Sequence, residues 1–105
     1  MKPEERTVDL SYPFEKVWEA TWTALPLAGW ELTRADRTQG HFDAKVGVNL
    51  YTWREDFSMD LTKNDEGSTR IHVWGKVRHQ LYDWGKTRRD IDRFISLLQI
   101  TLRER

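Results

Sequence analysis

Cysteine is absent from this chain of 105 residues, so neither a disulfide framework nor a thiolate metal site can contribute, and the redox compartment stays open. Long apolar runs are missing too. No segment is apolar enough to span a membrane, and Met1 to Leu10 carries charges throughout, so no secretory signal is read there and the cytoplasm is the expected compartment. Net charge is lacking, with 17 basic side chains against 17 acidic, which disfavours a general polyanion binder. Histidine is confined to His41, His72 and His79. The last two lie seven apart, on opposite faces of an extended run, which is poor metal geometry. Nucleophile motifs, phosphate loops and dinucleotide fingerprints do not occur, and Gly75 and Gly85 stand isolated. With no paired acid–base or metal constellation, the chain is expected to be no enzyme and to need no cofactor.

What is present is aromatic and asymmetric. Six tryptophans are a heavy load for one small domain, and large rings usually fill cores. Residues 1–67 carry 8 basic and 13 acidic side chains, while 68–105 carry 9 and 4, so the halves stand at −5 and +5. Complementarity between packed layers is the simpler reading of that split; a basic surface with a partner is the other.

The stretch from Thr69 to Leu102 organises the rest. Ile71, Val73 and Val77 alternate with Arg70, His72, Trp74 and Lys76, the period of a half-buried strand. Beyond Asp83-Trp84-Gly85-Lys86, the residues Ile91, Phe94, Ile95, Leu98 and Leu102 form one helical stripe. Thr87 with Asp90 approximates a capping box at its start, whereas Arg88 and Arg89 sit unfavourably in a first helical turn. Earlier, Arg6 to Ser11 reads as a strand and residues 1–5 as a frayed end. Pro13 suits the first turn of a helix, with Ser11 as its cap. Phe14, Val17, Trp18, Thr21, Trp22 and Leu25 share one face of that helix, which Pro26 should end near Leu25 or kink into a short last turn, with Gly29 as a stop. Strands follow at Trp30–Asp36, Phe42–Val46 and Tyr51–Thr62, and Asn64-Asp65-Glu66-Gly67 makes a hairpin turn.

The expected fold is α+β: an antiparallel five-stranded sheet with two helices packed on one face, in the order β-α-β-β-β-β-α, as one domain over residues 1–105. Short turns between successive strands favour the antiparallel meander. One apolar side per strand puts both helices on one face, over a core led by Trp18, Trp22, Phe57, Ile71, Phe94 and Leu98.

The opening Val8-Asp9-Leu10-Ser11-Tyr12-Pro13-Phe14-Glu15-Lys16-Val17-Trp18 resembles the strand-then-helix entry of helix-grip proteins, here in a short, TATA-binding-protein-like version. The lipid-transfer and polyketide-cyclase branch shares the proline that ends the strand and the Val-Trp pair on the helix. The strand order is similar to the helix-grip modules of a lipoprotein in the bacterial outer-membrane β-barrel assembly machine. It also resembles small bacterial proteins of unknown function that carry Thr38-Gln39-Gly40 and Asp83-Trp84-Gly85-Lys86. The resemblance covers roughly Arg6 to Leu102 and rests on short, structural motifs. It carries over no catalytic residue, and the extra strands that enclose a large cavity in lipid-transfer relatives are lacking.

Three constellations remain. Asp83 to Lys86 reads first as a structural joint, Gly85 taking an angle other residues resist and Trp84 plugging the core; Trp84 with Lys86 as a recognition pair is the alternative. Glu55 interrupts an apolar face between Trp53 and Phe57. Either a bulge turns it outward, or it is a carboxylate in an aromatic pocket with a raised pKa. With Trp22, Tyr51 and Trp53 it outlines a pocket for a small apolar ligand between the first helix and the sheet. Finally, His72, Trp74, Lys76 and Arg78 line the open sheet face, beside Arg54, Asp56, Ser58 and Asp60. The leading functional reading is a non-enzymatic binding module whose partner, another protein or a second copy, contacts that row. A carrier of a small apolar ligand is the alternative. Single-strand nucleic-acid binding is disfavoured by the adjacent acids. Cross-strand pairing that covers Trp74 needs no partner at all.

Overall fold

A computed structural model describes residues 4–46, 55–64, 67–77 and 85–104. The elements are β1 (Glu4–Leu10), α1 (Phe14–Leu27), β2 (Glu31–Asp36), β3 (His41–Val46), β4 (Glu55–Lys63), β5 (Thr69–Val77) and α2 (Lys86–Glu104). The order matches the expectation from the sequence, and so does the single antiparallel sheet. Strands lie β1-β5-β4-β3-β2, so β2 to β5 form the meander and β1 flanks its last strand. Helix α1 packs on β4 and β2, α2 on β1 and β5, and the helices touch each other.

Alternation decides which side of each strand is covered. Phe42 and Ala44, then Phe57, Met59 and Leu61, then Ile71 and Val73 all point under the helices and are buried. They meet Val17, Trp18, Ala24 and Leu25 of α1 and Ile91, Phe94, Ile95, Leu98 and Leu102 of α2. Phe14 and Trp18 continue onto Phe42 as a stack, with Trp18 and Phe42 centroids 4.1 Å apart.

Several local expectations fail for identifiable reasons. Trp22 is 46% exposed and touches Phe42 edge-on at the flank, so it is no core residue. It belongs to the apolar face of α1 by spacing, but Trp18 and Phe42 already occupy the space beneath. Helix α1, by contrast, runs on to Leu27 with Pro26 inside its last turn, the second of the two ends expected for it, and the chain then leaves at once: Trp30 N–H bonds Leu25 O at 2.9 Å. Pro13 is the N-cap and no side chain caps it, so Ser11 does not. Glu4 and Glu5 are not frayed but pair with Gly75 and Trp74. Among the described residues, the register shifts in β2, between Leu32 and Arg34. Strand β4 runs without a break beside both neighbours from Glu55 onward, so the outward bulge does not form there.

Candidate functional site

One end of the sheet brings together the end of β3, the start of β4 and the end of β5, with Glu55 opposite Val46 on one side and Val77 on the other. The start of α2 closes over this end. Since β4 keeps its alternation, Glu55 must point the way Phe57 does, into the covered face, and it is 1% exposed. An ionised carboxylate there needs donors. Thr87 Oγ1 donates to Glu55 Oε2 at 2.7 Å, and the Lys86 ammonium donates to Oε1. Lys86 also reaches Asp90 one turn on, at 2.7 Å. Thr87, in the first turn of α2, therefore anchors that helix to β4.

Beneath this polar group lies an aromatic floor. Trp30 is sandwiched between Phe57 and Phe94, at centroid separations of 3.9 and 4.6 Å and interplanar angles of 12° and 14°. Phe57 follows Glu55 by two residues on one strand face, and Phe94 follows Asp90 by one helical turn, so floor and polar group are successive layers. The Phe57 ring crosses β5 at Gly75, where a Cβ would come within 2.6 Å of Phe57 Cδ1; only glycine lets the ring lie there. Gly85, with φ +79°, turns the chain into α2 as the joint reading expects. Arg93 fixes the other wall by donating to Ala28 O at 3.0 Å, past the end of α1.

Burial pushes the Glu55 carboxyl up from its ordinary range, against the hydrogen bonds from Lys86 and Thr87. Burial works against the Lys86 ammonium, but Asp90 and Glu55 outweigh it and hold its pKa up. The site thus offers a carboxyl inclined toward its neutral form, a hydroxyl and an ammonium, all above stacked rings. Such a set can hydrogen-bond the polar head of an otherwise apolar molecule.

The open sheet face is built differently, for its charges are spent within the sheet. Arg70 bonds Asp9 at 2.8 Å, lowering the pKa of that acid, and His72 Nε2 meets Glu5 at 2.7 Å. His41 stands between two acids, Nδ1 to Asp60 at 2.7 Å and Nε2 to Asp43 at 2.8 Å. Burial opposes its protonation, yet the bonds to Asp60 and Asp43 prevail and raise its pKa. Asp43 is buried enough to resist ionisation, but Ser58, at 2.6 Å, and His41 hold it low. Trp74 is half-buried and stacks on His72, 4.8 Å between centroids, with His41 at 6.1 Å. Three of these contacts, Asp9–Arg70, Glu5–His72 and Glu55–Lys86, join the acidic first half to the second, as complementarity between layers implies.

Of the residues singled out for a ligand pocket, Trp22 and Glu55 are described, and of these two Glu55 lies at this end of the sheet. Trp22 is not beside it, because Trp22 meets Phe42, whose partner Met59 is four residues along β4 from Glu55. Tyr51 and Trp53 lie outside the described residues, as do Trp84, His79, Arg54 and Arg78. In the exposed row, His72 and Trp74 are adjacent, and Lys76 stands in β5 opposite Asp56. The sequence reading missed Thr87 and Trp30 as site residues; Thr87 reads as a cap and Trp30 as core. The signal that could have found them is the lone acid at Glu55, which requires donors from whichever helix covers it. Among the described residues no His, Asp or Glu group is arranged to hold a metal ion, and no helix is long and apolar enough to cross a membrane.

No protein-family model matches the chain, and no curated protein matches it in sequence. Solved structures do match. An uncharacterised protein from Bacillus thuringiensis superposes with a TM-score of 0.70 at 9% identity, covering 96% of this chain and 98% of that one. Ara h 8.0201 superposes with a TM-score of 0.63 at 14% identity, covering 96% and 97%. The chain has the helix-grip fold. The di-domain ARO/CYC protein StfQ of the steffimycin biosynthetic pathway carries it as well, with a TM-score of 0.56 and 10% identity over 90% of this chain and 43% of StfQ. These helix-grip matches support the lipid-transfer and cyclase side of the resemblance, at the level of fold. They do not bear on the outer-membrane lipoprotein modules.

Proposed function

We propose that the chain is a small, non-enzymatic helix-grip module that binds an apolar molecule bearing one polar head group. The ligand would enter at the Glu55 end of the groove, its ring or chain toward the aromatic layer and its head on Glu55, Thr87 and Lys86. The observation that carries this is the burial of Glu55. A carboxyl at 1% exposure costs stability even when bonded, and a well-packed apolar side chain at that position would cost nothing of the kind. The helix-grip likeness to cyclase proteins is consistent with a ligand at the helix–sheet groove.

The protein-contact reading, through His72, Trp74, Lys76 and Arg78, has less to support it. Arg70, His72 and His41 each bond to an acid of the sheet, and Trp74 is covered on one side by an imidazole, which lowers what a partner could gain there. Amide chemical shifts during titration with 2-naphthol, an apolar ring with one hydroxyl, test the ligand reading. Shifts centred on Trp30, Glu55, Phe57 and Thr87, weakened in Glu55→Gln, are expected. Titration that moves only the amides of β1 and the open face would overturn it.

A further inference from the structure

Each edge of the sheet is a strand with one neighbour among the described residues, β1 on one side and β2 on the other. An open edge presents a row of backbone donors and acceptors, a template for a further strand. The two edges differ in how their charges are held. On β1, Arg6 bonds Asp92 and Asp9 bonds Arg70, each at 2.8 Å. On β2, Arg34 reaches Asp36 at 3.5 Å and Asp43 at 4.0 Å, both too long for a charge-assisted hydrogen bond. Trp22 stands over that same edge. It is half-exposed and meets Phe42 edge-on, and Phe42 pairs in turn with Ala35 of β2, which is exposed on the helix side of the sheet. An indole and a methyl left uncovered beside an open strand mark β2 as the edge that a partner would cover.

Self-pairing of β2 has one register that suits these groups. The register shift between Leu32 and Arg34 leaves Arg34-Ala35-Asp36 as the regular part of the edge. Antiparallel pairing of two copies about Ala35 sets Arg34 of each copy opposite Asp36 of the other. Centring the pair on Arg34 or on Asp36 opposes like charges instead, and a one-residue slip turns the two helical layers to opposite faces. Centred on Ala35, both layers lie on one side, with a Trp22 on each flank of the axis. The two Phe42 positions then stand three strand spacings apart, about 14 Å, a gap that two indoles can fill between them.

We propose that the chain forms a two-fold dimer through β2, one sheet continuous across both copies, with two Arg34–Asp36 pairs on the open face and a Trp22 pair on the helix face. The partner is a second copy because the charge pattern of this edge is its own complement. A short regular edge and one indole a side make a small interface, so association is weak, near about 100 μM. The dimer uses neither Glu55 nor Trp74 and does not depend on a ligand in the groove.

Sedimentation equilibrium between about 10 μM and about 1 mM, with amide shifts followed on dilution, tests this. The wild type should pass from monomer to dimer over that range, and the moving amides should centre on Trp22, Arg34, Ala35 and Asp36. Trp22→Ala should weaken association about tenfold or more, as truncation of an interface tryptophan does. Arg34→Asp and Asp36→Arg each set like charges opposite one another, so each alone should stay monomeric. Mixed together, these two variants should dimerise with each other, since the acids of one then face the arginines of the other. The dilution shifts need no variant, so they decide the matter even where a substitution disturbs the fold. The proposal is overturned if the wild type is monomeric at about 1 mM, or if dilution moves amides of β1 or α2 and none of β2. It is overturned equally if Trp22→Ala dimerises as well as the wild type, or if the two folded charge variants stay apart when mixed.

Discussion

Lys86→Met is the sharpest probe of the buried carboxyl. Methionine keeps the length and most of the apolar stem of lysine while deleting the ammonium that donates to Glu55 and Asp90. Removing one partner of a fully buried ion pair costs about 3–5 kcal/mol. Lys86 is 46% exposed, however, and the Thr87 hydroxyl stays on the other oxygen, so solvent screening brings the expectation down to about 1–2 kcal/mol at pH 7. With a urea slope for a domain of this size of about 1.5 kcal/mol per molar, the midpoint should fall by about 1 M. The pH dependence discriminates this cause from a general packing defect. Without the ammonium, burial raises the Glu55 pKa further above its unfolded value. A carboxyl with a raised folded pKa contributes stability that is fully present below the unfolded pKa and is lost as pH rises through the folded one. The gap between wild type and variant should therefore be narrow near pH 4 and widen toward pH 7. Other titrating groups, His41 among them, are common to both proteins and cancel in the difference. A gap that is equal at the two pH values, or absent at pH 7, refutes the account. The double variant Lys86→Met with Glu55→Gln should recover part of the loss, because no charge is then left buried.

Three further outcomes follow from the same structure. Phe94→Ala removes a fully buried ring that stacks on Trp30 and should cost about 3–5 kcal/mol in a urea melt, whereas a loss below about 1 kcal/mol would put the ring outside the core. Trp22→Ala, at a half-exposed edge-on contact, should cost about 1 kcal/mol or less in the same assay, and a loss as large as that of Phe94→Ala would show that α1 packs otherwise. His41, whose folded pKa is raised, contributes stability that is present below its ordinary value near 6.5 and lost as pH rises through the folded pKa; urea midpoints should decline above that pH in the wild type and decline less in His41→Gln.

Periodicity made the architecture legible from the chain alone. A strand with one apolar side and a helix with one apolar stripe admit few arrangements, and short turns at Thr38-Gln39-Gly40 and Asn64 to Gly67 force antiparallel neighbours. The core positions Phe57, Ile71, Phe94 and Leu98 were readable for that reason, as was the strain at Gly85. Trp22 was not, because helical spacing says which face a ring is on but not whether the layer below has room for it. The open face divides in the same way. Alternation put His72 and Trp74 there, but the strand order β1-β5-β4-β3 decided that Glu5 would bond His72 and that Asp60 and Asp43 would hold His41 beside them. Glu55 marks the boundary most clearly. Its sequence position establishes only that an acid interrupts an apolar face. That it stays inward, and finds Lys86 and Thr87 thirty-one and thirty-two residues away, depends on where α2 crosses the sheet. Local spacing encodes which side a residue faces; which groups it meets there is set by tertiary contact between segments distant in the chain.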